Sequence, residues 1–305
     1  MTSTESAATS PSRIPCVLNP AARRASGWAE AIGADSRLQL RECPPEKMQE
    51  LLRKVIDGGA RRVAVVGGDG TVATAAGIVA GTDIELAIIP GGTLNHFART
   101  HRIPTEVEQA MKLAVEGAAR PVDLGYVNDV PFLNTSTVGA YLSFVRTRDR
   151  WEPRLGYWLS SAWAALRTFR HLPIYSVSVE VEGLKTSYRT PMVFVGVGER
   201  ELKFPSLGER VADGREGLHA MGVRGGARAR ILLMTLAASA KGVRHVAGTP
   251  HLDSFIAESL SVDLRRAKAD VAVDGETIRL ETPLNYRLAR GTLNLVAPTP
   301  EGFDV

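Results

Sequence analysis

Two glycine-rich turns, each closing a run of aliphatic residues, most constrain what this chain can fold into. The first is Val63-Ala64-Val65-Val66-Gly67-Gly68-Asp69-Gly70-Thr71; the second, Pro90-Gly91-Gly92-Thr93-Leu94-Asn95, comes about twenty residues later. β-branched and aliphatic runs favour strands, and helix-forming segments follow both turns, Val72 to Val79 and Leu94 to Arg99. A strand, a tight turn and a helix start are therefore expected twice. Glycines there permit positive φ and close approach to a ligand. The unpaired amides of a helix start, with its dipole, favour a phosphate. Asp69 lies inside this anion-seeking turn, where a carboxylate repels phosphate unless a cation such as Mg²⁺ lies between them. Nucleotide plus metal is the first functional expectation. One Gly-rich turn alone is also an ordinary connection, so the weight rests on the pair and its spacing.

The surrounding chain supports a parallel sheet. Ile14 to Leu18 reads as a strand ending at Asn19-Pro20, and Gly27 to Ile32 as an Ala-rich helix. Arg37 to Arg41 follows as a strand, then Pro44 to Asp57 as a helix with Met48, Leu51, Leu52 and Val55 at helical spacing. Gly58 and Gly59 stop it. After the strand Glu85 to Ile89 and the second turn, a helix runs to about Glu116, with Thr105 as its expected N-cap and Glu108 three residues on. Strand-helix alternation argues for a parallel α/β domain of Rossmann-like type, with ligand at the carboxyl ends of the strands.

From Val122 the texture changes. Strands are expected on either side of Asn128-Asp129, then over Tyr175 to Val181, Tyr188 to Val197, Leu218 to Val223, Phe255 to Leu264, Ala269 to Val273, Ile278 to Thr282 and Thr292 to Val296. Only Trp151 to Arg170 and Arg230 to Lys241 look helical. This half reads as an antiparallel β-sandwich. The expected organisation is a disordered start over 1–13, a nucleotide-binding α/β domain over 14–125 and a sandwich over 126–305. A return of the last residues to the first domain is left open.

Composition narrows the setting. The 305 residues carry a net charge of +4, which permits weak attraction to anionic surfaces. Two cysteines, Cys16 and Cys43, build no disulfide framework or Cys-based zinc site. Residues 1–13 lack the apolar core of a signal peptide, and the longest apolar stretch, Ile231 to Ala240, is too short to span a bilayer. The expectation is a cytoplasmic protein, at most peripheral on the inner face of a membrane, with no nucleic-acid partner. Oligomeric state is open, a homodimer being one option.

Gly67-Gly68-Asp69-Gly70-Thr71 followed by Pro90-Gly91-Gly92-Thr93-Leu94-Asn95-His96-Phe97-Ala98-Arg99 resembles the catalytic domain of the diacylglycerol kinase and sphingosine kinase family, especially its small soluble bacterial members. Val122-Asp123-Leu124-Gly125, Phe132-Leu133-Asn134 and Val273-Asp274-Gly275-Glu276 extend the likeness from about Asn19 to Pro298. The resemblance implies the two-domain fold shared with NAD kinases, with ATP and Mg²⁺ as cofactors and a lipid hydroxyl, met at a membrane surface, as phosphoryl acceptor. It implies a phosphate cradle of Gly67, Gly68, Gly70, Thr71, Gly92, Thr93 and Asn95. Asn19 and Pro20 would contact the nucleotide, as would Asp274; Asp69 would orient the nucleotide or its metal. Glu276 matches the family's proposed general base, and Asp123 a carboxylate linked through water to Mg²⁺. Asp213 matches one ligand of a structural Mg²⁺ site, but Ala212 replaces the companion Asp. Arg24 and Arg154 stand where the family places lysines.

Other departures are Glu42-Cys43-Pro44 in place of a Thr-Glu pair and Gly198-Glu199 in place of Gly-Asn. The alternatives are an NAD kinase-like kinase of soluble alcohols and a nucleotide- or lipid-binding regulator of little turnover. The first is disfavoured because the Asn-Asn-Glu turn of NAD kinases is missing. Trp151, Trp158 and Trp163 cluster with Tyr157, Phe169 and several arginines, a composition that suits a membrane interface. Leu155, Leu159, Trp163, Leu166 and Phe169 equally make a buried helix face, and core packing is the preferred expectation.

Overall fold

The computed structural model describes residues 13–20, 25–93, 95–172, 174–181, 183–202, 207–211, 214–223 and 252–299. Residues 1–12 of the expected disordered start over 1–13, and the expected helix Arg230 to Lys241, lie outside them. The chain forms two compact units, one of residues up to Val122 together with those from Thr292 onward, the other Asp123–Gly291.

In the first unit, β1 (Ile14–Leu18), α1 (Ala25–Ala34), β2 (Leu38–Glu42), α2 (Pro45–Asp57), β3 (Arg62–Gly67), α3 (Asp69–Val79), β4 (Glu85–Pro90), α4 (His96–Thr100) and α5 (Val107–Glu116) follow one another. The final strand of the chain, Leu284–Val296, brings its end back beside β4, pairing Asn294 to Val296 with Glu85 to Ala87. The order is β2-β1-β3-β4 and then this last strand, all parallel. Alternate residues serve opposite faces. Cys16, Leu18, Ala64, Val66, Ala87 and Ile89 pack with Trp28 and Ile32 of α1 and Ala110, Met111 and Ala114 of α5. The intervening Val17, Val63, Val65, Leu86 and Ile88 are equally buried, as strands covered by helices on both faces require. Met48, Leu52 and Val55 bury the expected face of α2.

Arg62 anchors one corner. Its guanidinium pairs with Glu85 (2.6 Å) and donates to the carbonyls of Ala114, Val115 and Gly117 at the end of α5. A cation there satisfies orphan carbonyls and complements the negative end of the helix dipole. The expected Thr105 cap is not used: α5 begins at Val107, and its N-cap residue, Glu106, makes no side-chain capping bond.

β5 (Ala119–Val127) leads into the second unit. There follow β6 (Val130–Phe132), β7 (Thr135–Gly139), α6 (Ala140–Arg170), β8 (Tyr175–Val181), β9 (Leu184–Thr190), β10 (Met192–Val197), β11 (Arg200–Leu202), β12 (Leu207–Arg210), β13 (Leu218–Val223), β14 (Leu252–Ala257), β15 (Ser259–Asp263), β16 (Lys268–Val273), β17 (Glu276–Glu281) and β18 (Leu284–Val296). One antiparallel sheet has the order β14-β13-β10-β7-β16-β17. In the other, β18, β15, β8 and β9 are neighbours, again antiparallel. Val138, Val193, Val195, Val197, Leu218 and Val271 from the first sheet share one core with Val177, Val179, Leu260, Val262, Leu284 and Tyr286 from the second. This is the expected sandwich.

Several details differ from expectation. Tyr188 to Val197 is two strands divided at Pro191, whose missing N–H cannot continue a ladder. Phe255 to Leu264 likewise divides at Glu258, and β18 starts at Leu284 rather than Thr292. Helix α6 starts at Ala140 rather than Trp151 and breaks at Gly156 (φ 70°, ψ 170°). The preferred core reading of its apolar residues fails for four of the five: Leu155, Leu159, Trp163 and Leu166 are exposed, and only Phe169 is half-buried. The inward positions are Ser160 and Ala164, so the small side of the helix is the packed one.

Candidate functional site

The strand order places a topological switch point between β1 and β3, because β1 connects away to β2 on one side while β3 continues to β4 on the other. In open α/β sheets ligands bind at the carboxyl ends of the strands at such a point. Asn19 follows β1 there, and Gly67 ends β3 with Gly68 to Thr71 after it. The two are joined directly, since Asn19 Nδ2 donates to Thr71 Oγ1 (3.3 Å). Pro20 is exposed beside Asn19.

The second glycine turn lies against the first. The Gly91 amide donates to the Gly67 carbonyl (2.9 Å). A Cβ on Gly92 would stand 2.5 Å from Gly68 Cα and 2.8 Å from Asn95 Oδ1, and one on Gly67 would stand 2.5 Å from Thr71 Cβ. These glycines serve close approach. None of Gly67, Gly68, Gly70, Gly91 or Gly92 has positive φ, contrary to expectation; the left-handed residue is Asn95 (φ 49°). Asn95 holds the turn by accepting from the Gly92 amide (3.0 Å) and donating to the Gly92 carbonyl (2.9 Å). Gly68, Gly70, Thr71 and Gly92 are half-buried where the turns meet, and Thr93 is exposed.

Asp69 ties the two turns together. It is the first residue of α3, and its carboxylate accepts from the amides of His96 (3.1 Å) and Phe97 (3.0 Å). Those amides open α4, whose N-cap residue, Asn95, makes no side-chain capping bond. Asp69 therefore supplies the cap from a distance. Sequence reasoning missed this partnership, because an Asp in a glycine turn carries no sign of which distant amide it will meet.

Asp274, Glu276 and Asp123 belong to the second unit. Asp274 and Gly275 both have positive φ (47° and 93°), as a two-residue hairpin between β16 and β17 demands. The Asp274 carboxylate accepts from the amides of Leu133 (2.6 Å), Asn134 (2.8 Å) and Thr135 (2.9 Å). Burial pushes its pKa up, while the three amides and Arg200 pull it down. Its oxygens are thus engaged by the chain, which is structural work the nucleotide expectation did not include. Glu276 is exposed at the start of β17, and among the described residues its carboxylate makes no hydrogen bond. Asp123 accepts from the Gly291 amide (2.8 Å) and pairs with Arg290 (3.4 Å). Glu199, at the Gly-Asn departure, accepts from the Arg215 amide (3.0 Å).

Arg24 and Asp213 lie outside the described residues. Among those described, no group of three His, Cys, Asp or Glu could hold a metal ion. In nucleotide sites Mg²⁺ usually takes most of its ligands from phosphate oxygens and water. Glycine turns at a strand end and helix start suit a phosphate, because backbone amides can approach it closely.

Residues 21–127 match the family model of the diacylglycerol kinase catalytic domain. A diacylglycerol kinase of Mycobacterium tuberculosis is 31% identical over 178 residues, covering 53% of this chain and 57% of that protein. A probable lipid kinase YegS-like protein of Cronobacter sakazakii is 43% identical over 88 residues, 27% of this chain and 29% of the relative. The chain thus spans between under a third and little more than half the length of these curated relatives. Two solved structures from Bacillus anthracis superpose over 94% of this chain and 97% of theirs, with TM-scores of 0.71 and 0.64 at 22% and 19% identity; the second is of a diacylglycerol kinase. They bear out the fold.

Proposed function

We propose, for a chain whose residues 21–127 belong to the diacylglycerol kinase catalytic-domain family, that it transfers the γ-phosphoryl group of ATP to a hydroxyl of diacylglycerol or a related lipid. One observation carries the reading. Two glycine turns meet backbone to backbone at the β1/β3 switch point and are tied together by Asp69.

Phosphoryl transfer asks a protein mainly for positioning and charge stabilisation. In this reading Gly67, Gly68, Gly70, Thr71, Gly92 and Thr93 receive the phosphates, and Asn19 and Asn95 fix the two turns. Bound Mg²⁺ would supply neutralisation of the phosphate oxygens. Asp69 keeps the second turn in register with the first. Glu276 takes the proton of the attacking hydroxyl, a role open to an exposed carboxylate that hydrogen-bonds to no group among the described residues. Asp274 sets the hairpin from which Glu276 projects, and Asp123 holds the β5 and β18 backbones together.

The test is Glu276→Gln. It should leave ATP affinity within about twofold of the parent and lower turnover by roughly 10²–10⁴-fold, the usual worth of a general base. Unchanged turnover would remove Glu276 from the reaction.

A further inference from the structure

The carboxyl edge of the parallel sheet offers more than the two glycine turns. Strand register sets Glu42, at the end of β2, level with Leu18 of β1 and, through it, with Val66 of β3 and Ile89 of β4. The proposed phosphate cradle starts one residue beyond that level, on β3 and β4. Glu42 therefore stands two strand spacings to one side of it, ~10 Å away at ~4.8 Å per strand. Glu42 is exposed, and among the described residues its carboxylate makes no hydrogen bond or ion pair. Its backbone is held in place. The following amide, of buried Cys43, donates to the Leu18 carbonyl (2.9 Å), and Cys43 Sγ donates to the Pro44 carbonyl (3.4 Å). Helix α2 opens after Pro44 without a side-chain capping bond, so Glu42 is not spent on that helix.

Phosphates seated on β3 and β4 leave the sugar of a nucleotide two directions to take. On the far side of β4 the last strand runs into Ala297 and Pro298, neither of which has a side-chain hydrogen-bonding group. On the other side, across β1, is Glu42. An ionised carboxylate only accepts hydrogen bonds. It repels phosphate, from which this spacing keeps it clear, and it suits the vicinal hydroxyls of a ribose, which are neutral donors. Dinucleotide-binding doubly wound folds also hold a ribose 2′-hydroxyl with an acidic side chain. Glu42 lies in the stretch Glu42-Cys43-Pro44 that departs from the Thr-Glu pair of the family, so the carboxylate belongs to this chain's own pattern.

We infer that Glu42 holds the ribose hydroxyls of the nucleotide and makes this chain selective for ribonucleotides over 2′-deoxyribonucleotides. The inference rests on the proposed reading of the two turns as a phosphate cradle, and it adds which way the nucleotide lies: phosphates over β3 and β4, sugar over β2.

The full chain is titrated calorimetrically with ATP and with 2′-deoxy-ATP, each with Mg²⁺. The parent should bind ATP about tenfold or more tightly, as loss of one charged hydrogen bond implies. Glu42→Ala should lower ATP affinity to about that of 2′-deoxy-ATP and so erase the preference. Glu42→Gln, which keeps an acceptor oxygen without the charge, should retain part of it. The side chain is exposed, so the unfolding temperature should not move in either variant. Equal binding of the two nucleotides by the parent would overturn the inference. So would a Glu42→Ala variant whose preference is unchanged, whether both affinities fall or neither does. Calorimetry needs no lipid and no turnover, so a chain that shows the preference but phosphorylates no lipid would sink the kinase reading alone. One that phosphorylates lipid equally well from ATP and 2′-deoxy-ATP would sink the assignment of Glu42 alone.

Discussion

Gly92 has no room for a side chain. A Cβ there would overlap Gly68 Cα at 2.5 Å, and backbone cannot step aside as a flexible side chain can. Gly92→Ala should cost about 1–3 kcal/mol of stability, as overpacking does. It should also weaken ATP binding about tenfold, one factor of ten for each ~1.4 kcal/mol of cradle distortion. Titration calorimetry beside chemical unfolding checks both. Asp69→Ala should lose about 1–2 kcal/mol by leaving the His96 and Phe97 amides uncapped; unfolding as late as the parent would refute the cap. At this scale the sequence revealed which residues matter better than why. Glycine at 67, 68 and 92 was legible from turn chemistry, but at 68 and 92 the reason is packing between turns, which no single turn discloses, and at 67 it is the Thr71 side chain. The Asp69 partnership spans twenty-seven residues of chain and required the fold.

Among the elements, the β16–β17 hairpin is held by one carboxylate serving three amides. Asp274→Ala leaves those donors without their acceptor and should cost about 3 kcal/mol or more. It should also lower turnover without removing ATP binding, because in the proposed reading it displaces Glu276. Between β13 and β14, buried His219 accepts the Arg200 amide at Nδ1 (2.9 Å), so its proton sits on Nε2 facing Ser254 Oγ (2.8 Å). Burial holds its pKa below the ordinary histidine range. A depressed folded pKa means this contribution is present above the unfolded value of ~6.5 and is lost as pH falls through the lower folded value. Stability should therefore drop on acidification below about pH 6.5, by at most ~1.4 kcal/mol per pH unit from this group, and His219→Asn should flatten that part of the profile. Parallel strands, the α2 face and the Asn128-Asp129 turn were legible because local pattern dictates them. The orientation of α6 was not. Period 3.6 identifies an apolar stripe without saying whether protein or something else covers it.

For the whole molecule, the change of texture near Val122 separates a parallel α/β unit from a sandwich, and the chain crosses between the units twice, in β5 and in β18. That the final strand returns its end beside β4 could be only a possibility in sequence, since Thr292 to Val296 reads as a strand in either unit. Among the described residues no helix is long and apolar enough to cross a membrane. The central claim is the transfer itself, and it is tested most directly with γ-labelled ATP, Mg²⁺ and mixed-lipid micelles, NAD being offered in a parallel tube and each reaction extracted with organic solvent. The account predicts label in the organic phase from the parent chain and its loss with Glu276→Gln. Label confined to an aqueous product, or ATP bound with no transfer to any alcohol, would contradict it.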